Sequence, residues 1–260
     1  IETSCDDTAV ALLRGGTVLA DAVSSQWDTV EEWGGVHPMM AARDHRTNIG
    51  PVMDTVLARS GITANEIDAV AVTTGPGLAP CLRVGLESAR QKALELGVPI
   101  IGVNHLVGHS LMSRFTSELK KKGCRFPYLA LIASGGHCCT VIVKSVDEYH
   151  MIGTTTDDSV GEVFDKVARL LNISYEKDGE SAHGGAALEE WAKLGNENYV
   201  LFTVPKLKVR DCNFSFSGLK SAVARKVEES EDVQKEEWFK QDVAACFQAT
   251  AFEHLVQRTR

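Results

Sequence analysis

The sequence lacks any run of about 18 apolar residues, so it offers no segment of the length that a membrane-spanning helix needs. It also lacks an excess of positive charge. The 27 Lys and Arg residues stand against 35 Asp and Glu residues, a formal net charge of -8. This balance excludes a general attraction to polyanions, so a nucleic-acid partner would have to be met by a local basic patch or by another protein.

Regularly spaced cysteines are also absent. The seven cysteines are odd in number and scattered, which argues against a disulfide framework and favours a reducing compartment. There is no initiating methionine, and Ile1 falls inside a predicted strand. Residues 238 to 260 form an amphipathic helical pattern that no glycine or proline ends. We therefore interpret the chain as a fragment that lacks its C-terminal part, with any targeting peptide lying ahead of Ile1.

What is present is a pattern of two similar halves. The first opens with "IETSCDDTAVALL" and "TVLADAVSS", and the second with "YLALIASGGHCCTVIVKS" and "EYHMIGTTT". Each predicts an antiparallel meander followed by a helix. Residues 67 to 105 between them read as strand, helix and strand, which implies parallel pairing. We expect two α/β lobes facing a cleft: residues 1–115, a polar linker at 116–126, and residues 127–260.

Two glycine-containing turns are candidates for ligand binding. In "ASGGH", residues 133 to 137, the ordinary interpretation is a two-residue Gly-Gly hairpin. The alternative is that Ser134 and the amides of Gly135 and Gly136 form a concave N–H cluster for a phosphate. The matching turn "SCDD" in the first half is acidic and would repel phosphate, so a role through metal or water is the better interpretation. "TTGPGL", beginning at residue 73, has neither dinucleotide nor P-loop spacing.

His105 and His109 lie four residues apart in "HLVGH". On a helix this spacing puts both imidazoles on one face, where they can reach one ion, although two polar residues of an ordinary helix remain the alternative. The zinc-protease pattern HExxH is not met. Because two histidines are too few for a structural zinc site, a third ligand, expected to be a carboxylate, must come from elsewhere in the protein.

The stretch "DDSVGEVFDKVARLL" predicts a helix with one apolar stripe. The stripe consists of Val160, Val163, Phe164, Val167 and Leu171. Asp165 lies off the stripe. It is either a binding residue or the partner of Arg169 in an ordinary i,i+4 ion pair.

In seven stretches the sequence resembles the TsaD family of tRNA N6-adenosine threonylcarbamoyltransferases, long described as O-sialoglycoprotein endopeptidases. They occur in the family's order: "IETSCDDT", "GGVHPMMAARDH", "TTGPGL", "HLVGH", "ASGGH", "GEVFDK" and "FSFSGLK". The likeness runs over essentially all 260 residues. "HCC" after the turn, and the altered region "SYEKDGESAHGGAALEE", resemble mitochondrial members, with a cytoplasmic bacterial protein as the alternative.

The resemblance implies a two-lobed actin/hexokinase/Hsp70-like (RNase H-like) fold and an acyltransferase. The implied reaction transfers threonylcarbamoyl from threonylcarbamoyl-adenylate to N6 of adenosine 37 in tRNAs reading ANN codons. It also implies a homodimer and one divalent metal ion per subunit (iron, zinc or magnesium), held by His105 and His109. The substrate-binding residues carried over by motif are Ile132, Ala133, Ser134, Gly135, Gly136, Asp165 and Gly185. The family's third metal ligand and a further substrate-binding asparagine have no match in this chain.

No catalytic residue is identified: His137 is near the turn, but its default interpretation is a hairpin residue. Three other functions stay open, namely a small-molecule kinase of the same superfold, a metallopeptidase, and a non-catalytic partner of a longer paralogue. The candidate tRNA-binding patches are the basic residues Lys120, Lys121, Lys122 and Arg125, or Lys206, Lys208 and Arg210.

Overall fold

A computed structural model describes the chain except for residues 34, 116–123, 178–179, 183 and 232–233. The chain divides into two compact units, Ile1–Gly123 and Cys124–Arg260. In the described part of the chain, no helix is both long and apolar enough to cross a membrane. Most of the predicted linker lies outside the described residues, so the lobe boundaries stay a prediction.

The first unit is a sheet with helices packed on it. Its elements are β1 (Asp7–Arg14), β2 (Thr17–Ser25), α1 (Trp27–Glu32), α2 (Pro38–Ser60), a 3₁₀ turn (Ala64–Glu66), β3 (Val70–Gly75), α3 (Ala79–Leu96), β4 (Ile100–Asn104) and α4 (His105–Met112). β1 pairs antiparallel with β2, and β3 pairs parallel with β4. Parallel strands need a crossover, which α3 supplies. The predicted strand–helix–strand unit is therefore confirmed.

The first three residues join the two strand pairs. Glu2 and Ala9 exchange two backbone hydrogen bonds of 2.9 Å, and the Thr73 amide donates to the Ile1 carbonyl at 3.1 Å. The strand order is therefore β2, β1, residues 1–3, β3, β4. This order places Glu2 beside β3, at the edge where β3 and β4 end and α4 begins.

The second unit contains the predicted meander, β5 (Tyr128–Ala133), β6 (Cys138–Val143) and β7 (Tyr149–Thr154), in an antiparallel sheet of that order. It continues with α5 (Val160–Leu171), β8 (Tyr175–Lys177), β9 (Glu180–Ala182), α6 (Gly184–Ala192), α7 (Ser217–Glu228) and α8 (Glu237–Thr259). The hairpin loop between β5 and β6 has four residues, 134–137, because Ala133 pairs with Cys138. The last backbone hydrogen bond of the hairpin runs from the Ser134 amide to the His137 carbonyl at 2.8 Å, which leaves Gly135 and Gly136 as the two residues between its ends.

The core of the second unit forms around α5. All five residues of its predicted apolar stripe are buried, and Phe164 packs edge-on against Phe247 of α8 with ring centroids 4.9 Å apart. Burying each such side chain stabilises the fold by about 1.5–3 kcal/mol. α5 is therefore anchored in the core, and its first turn lies beside the loop at 134–137.

The motif "FSFSG" packs beside the end of β7 and against His254 of α8. The Phe214 amide donates to the Thr154 carbonyl at 3.0 Å, and the Ser215 amide donates to His254 Nε2 at 3.2 Å. The rings of Phe214 and Phe216 stack edge-on against the imidazole, which is fully buried. Burial lowers the pKa of His254 to about 4, and the positive charge of Arg258 acts in the same direction.

We expect the protein to lose stability as the pH falls from 6.5 to about 4, in part through His254. In this window the unfolded chain binds a proton on His254 at its ordinary pKa of 6.5, while the folded protein does not. A pKa difference of this size between the unfolded and the folded protein corresponds to about 3 kcal/mol in the free energy of unfolding. His254→Gln keeps an acceptor but does not titrate, so its free energy of unfolding in urea should fall less between pH 7 and pH 4. Equal losses of unfolding free energy in the wild type and the variant would contradict this role of His254.

Candidate functional site

The two histidines of "HLVGH" lie in the first turns of α4, which begins directly after β4. The Asn104 side chain caps the helix by accepting hydrogen bonds from the amides of Leu106 at 3.0 Å and Val107 at 3.2 Å. The helical spacing puts both imidazoles on one face, as predicted. His105 Nε2 and His109 Nε2 are 3.2 Å apart, and the two rings are nearly perpendicular, at 89°.

This geometry fits two ligands of one metal ion. A tetrahedral ion that binds nitrogen at about 2.0–2.1 Å holds two of its ligands roughly 3.3 Å apart. The nitrogen separation of 3.2 Å is close to that value. Among the residues that the structure describes, no group of three His, Cys, Asp or Glu side chains is placed to hold a metal ion. The described residues therefore offer a pair of candidate ligands and not a complete site.

A carboxylate orients the first imidazole. His105 Nδ1 lies 3.1 Å from Glu2 Oε2 and 3.2 Å from Ser4 Oγ. Because the carboxylate can only accept, it selects the tautomer with the proton on Nδ1, which makes Nε2 the acceptor nitrogen. A carboxylate behind a ligating histidine is the usual second partner in metal sites.

The surroundings keep these groups in their metal-binding forms. Desolvation alone would raise the pKa of the Glu2 carboxyl, but hydrogen bonds from His105, Ser4 and Thr73 outweigh it and lower the pKa to about 2. Partial desolvation of the second ring, together with the charge that His105 would carry, lowers the pKa of His109. Glu2 is therefore an anion and His109 a neutral imidazole at neutral pH, as metal ligation requires.

The second candidate group is the loop between β5 and β6. Its ends are closed by the Ser134 amide, which donates to the His137 carbonyl at 2.8 Å, and by the His137 amide, which donates to Ser134 Oγ at 3.0 Å. Ser134, Gly135 and Gly136 are exposed, whereas Ile132 is buried in the strand. In the part of the chain that the structure describes, the Gly135 and Gly136 amides have no intramolecular acceptor. Two adjacent amides of this kind can bind an anion.

The N-terminus of α5 lies against this loop. The Gly161 amide donates to the Ser134 carbonyl at 3.1 Å, and the Ser159 hydroxyl donates to the Gly135 carbonyl. The positive end of the helix dipole therefore adds to the field at the loop amides.

The structure brings together two further predicted residues, Asp165 and Gly185. Asp165 Oδ1 accepts a hydrogen bond of 2.7 Å from the Gly185 amide. A Cβ on neighbouring Gly184, whose φ is 60°, would lie 2.3 Å from the same oxygen. Asp165 follows Gly161 by four residues and so lies on the face of α5 that meets the loop. The carboxylate therefore caps α6 while lying one helical turn beyond the loop.

The structure describes the two candidate basic patches to different extents. Lys120, Lys121 and Lys122 lie outside the described residues. Lys206 is half-buried and forms an ion pair of 3.0 Å with Asp211. Lys208 and Arg210 are exposed, and they are the residues of that patch with charges open to a polyanion.

Sequence reasoning missed four residues of these two groups: Glu2, Ser4, Ser159 and Gly161. Glu2 and His105 are separated by 103 residues in the chain, so no local pattern could have paired them. Gly161 did carry a signal, because glycine is unfavourable by about 1 kcal/mol inside a helix and needs a packing reason there.

Comparison with known proteins gives one consistent family. The family model described as "TsaD: tRNA N6-adenosine threonylcarbamoyltransferase" matches residues 17–260. The chain is 42% identical over 259 residues to the "tRNA N6-adenosine threonylcarbamoyltransferase" of Thermosipho africanus, covering 100% of this chain and 74% of that relative. It is 39% identical over 268 residues to the "Probable tRNA N6-adenosine threonylcarbamoyltransferase, mitochondrial" of Arabidopsis thaliana, covering 99% of this chain and 54% of the relative.

Among solved structures, YeaZ from Pseudomonas aeruginosa is similar with a TM-score of 0.38 and 20% identity. The match covers 58% of this chain and 61% of that one.

Proposed function

The chain belongs to the TsaD family of tRNA N6-adenosine threonylcarbamoyltransferases, and we propose that it supplies the metal ligands and donor-binding groups of that reaction. Membership of the family confirms the predicted resemblance, the actin-like α/β fold class and an acyltransferase that forms threonylcarbamoyladenosine in tRNA. It disfavours the small-molecule kinase and the metallopeptidase. The chain spans between about half and three quarters of the length of the two relatives.

The reaction that we propose in detail uses threonylcarbamoyl-adenylate as the donor and adenosine 37 of tRNAs reading ANN codons as the acceptor. The N6 amine attacks the carbamoyl carbon and loses a proton, and the bond from that carbon to the phosphate oxygen breaks, so AMP leaves with the electron pair. The amine is a poor nucleophile because its lone pair is delocalised into the ring. Since the donor is already activated, the protein has mainly to align the reactants and stabilise developing charge.

The loop at 134–137 and the first turn of α5 suit the adenylate end of the donor. Exposed amides at Gly135 and Gly136, with the helix N-terminus behind them, favour the phosphate and the charge that grows on it as AMP leaves. Asp165 provides a carboxylate of the kind that accepts hydrogen bonds from sugar hydroxyls, and the Gly185 amide holds that carboxylate in place. We assign Ile132 and Ala133 to the support of the loop.

We assign the metal ligands to His105 and His109, and the observation that carries this assignment is their nitrogen separation of 3.2 Å with Glu2 behind the first ring. The family requires a metal ion. Of iron, zinc and magnesium, neutral imidazole nitrogen suits iron or zinc better than magnesium. Such an ion would polarise the carbamoyl oxygen or fix the threonyl carboxylate. The role of Glu2 is to hold the proton on His105 Nδ1 and so keep the ring in its ligating orientation.

We expect Glu2→Gln to weaken metal binding by about 10–100-fold, the usual effect of losing the group behind a ligating histidine. Glutamine can still present one acceptor oxygen to His105 Nδ1, but it has no negative charge, so it holds the Nδ1 proton less strongly and no longer raises the basicity of Nε2. Metal content and a competition titration with a chelating dye measure the effect. Glu66→Gln, which removes an exposed carboxylate paired with Arg14 in the same unit, is the control. Equal affinities in the two variants would contradict the role of Glu2.

The function itself is tested by nucleoside analysis of tRNA from cells that lack the protein. Threonylcarbamoyladenosine should disappear and should return when the wild-type gene is restored. Unchanged amounts of the nucleoside would contradict the proposed reaction. ATP-dependent phosphorylation of a small substrate by the purified protein would instead favour the kinase.

We propose a mitochondrial location, and the support is the plant relative whose name carries that word together with the "HCC" and 174–190 sequence features. Imaging of the tagged protein tests the location, and a signal confined to the cytosol would contradict it.

We also propose a homodimer that contacts tRNA through exposed basic residues such as Lys208 and Arg210. Sedimentation analysis tests the dimer, and tRNA retention by a Lys208→Ala, Arg210→Ala double variant tests the surface.

A further inference from the structure

Helix α5 begins in an unusual way. Ser159 is its N-cap residue, and a serine hydroxyl at this position ordinarily accepts a hydrogen bond from the second or third amide of its own helix. Within the described chain Ser159 makes no such bond. The residue is only 4% exposed, and its hydroxyl donates to the Gly135 carbonyl. The second amide of the helix, that of Gly161, donates to the Ser134 carbonyl at 3.1 Å.

These two bonds orient two consecutive peptide units of the loop. In a trans peptide the C=O and the N–H point in opposite directions, and the cis peptides of this chain lie elsewhere, at Gly75–Pro76 and Phe126–Pro127. The Ser134 carbonyl points at Gly161, so the Gly135 N–H points away from α5. The Gly135 carbonyl points at Ser159, so the Gly136 N–H points away as well. Both amides are therefore directed outward from an exposed loop.

The helix can approach the loop this closely only because residue 161 has no side chain. A Cβ on Gly161 would lie 2.6 Å from the Gly135 nitrogen and 2.7 Å from the Ser134 carbonyl carbon. Both are backbone atoms, which cannot rotate away as a side chain can. The contact is thus built into the fold and does not depend on a flexible group.

We propose that Ser159 is a positioning residue that directs the Gly136 amide toward the phosphate of the donor, with Gly161 doing the same for the Gly135 amide. The inference rests on the proposed function, because it takes the ligand of the loop to be an adenylate. Without the Ser159 hydroxyl, the Gly135–Gly136 peptide can rotate between two glycines, whose backbones are the least restricted of all residues. The outward amide is then lost in part of the population.

The test compares the affinities of AMP and adenosine for the full protein by calorimetry. The two probes differ by the phosphate alone. We expect Ser159→Ala to weaken AMP binding by about tenfold, the scale of one hydrogen bond to a charged group, and to leave adenosine binding unchanged. Thr250→Val is the control, because it removes a hydroxyl that donates to the Cys246 carbonyl at 2.8 Å within α8. Should the alanine variant fail to fold, Ser159→Cys keeps the volume with a weaker donor and should show a smaller loss.

The outcomes separate the inference from the function on which it rests. Unchanged AMP affinity in the Ser159 variant, or equal losses for AMP and adenosine, would overturn the positioning role while leaving the donor site in place. A wild-type protein that binds neither probe would contradict the donor site itself, and the inference with it. A loss confined to AMP and absent from the Thr250 variant supports the role of Ser159.

Discussion

Replacing His109 by alanine should remove the bound metal and lower transfer to adenosine 37 by at least about 100-fold, because losing a ligand costs no less than losing the group behind it. The described chain contributes two imidazoles to the proposed site, and the His109→Ala variant keeps only that of His105. In the full protein the variant keeps one imidazole and the expected carboxylate, which are too few ligands to hold an ion against competing chelators. Metal content and threonylcarbamoyladenosine formation on unmodified tRNA, both in the full protein, measure the result.

The control for this experiment is His150→Ala. His150 is an exposed histidine on β7 whose imidazole lies 2.9 Å from the Glu148 carboxylate, so its loss removes an imidazole without touching α4. Its metal content and transfer rate should match those of the wild type. A His109 variant with wild-type transfer and unchanged metal would refute the ligand assignment, whereas wild-type transfer without metal would show that the ion is not needed for the reaction.

The second large effect is expected for Gly161→Ala. The added methyl group would meet the backbone of Ser134 and Gly135 at 2.6–2.8 Å, so either the helix or the loop has to shift. Overpacking of this kind costs about 1–3 kcal/mol of folding stability. Because both loop amides are directed by contacts with this turn of the helix, we expect AMP affinity to fall by more than the roughly tenfold loss of a single charged hydrogen bond.

A matched variant gives the opposite expectation. Gly218 occupies the same second position in α7, but a Cβ there would have no atom within 4 Å. Gly218→Ala should therefore gain up to about 1 kcal/mol from helix propensity alone and leave AMP binding unchanged. Thermal unfolding and calorimetry on both variants test the pair. Stabilisation by Gly161→Ala, with unchanged AMP affinity, would show that α5 does not hold the loop.

The local patterns of the sequence were reliable guides to local structure. The apolar stripe of α5 is buried as its spacing predicts, and the imidazoles of His105 and His109 meet because they lie one helical turn apart. The strand–helix–strand unit forms a parallel pair, since its connection is long enough for a crossover. The seven motifs identified the family before any contact was known. The roles assigned to the site residues stay predictions.

What the sequence by itself determined was therefore the family, the class of fold and the residues whose neighbours lie within one or two helical turns. Only the tertiary structure decided that Glu2 supports His105, and that Ser159 and Gly161 direct the amides of the loop. Glu2 lies 103 positions from His105 in the sequence, and Ser159 lies 24 positions from Gly135. Helical and strand periodicities describe which face of one element is buried, but the order of the strands and the packing of a helix end decide which distant groups meet on that face.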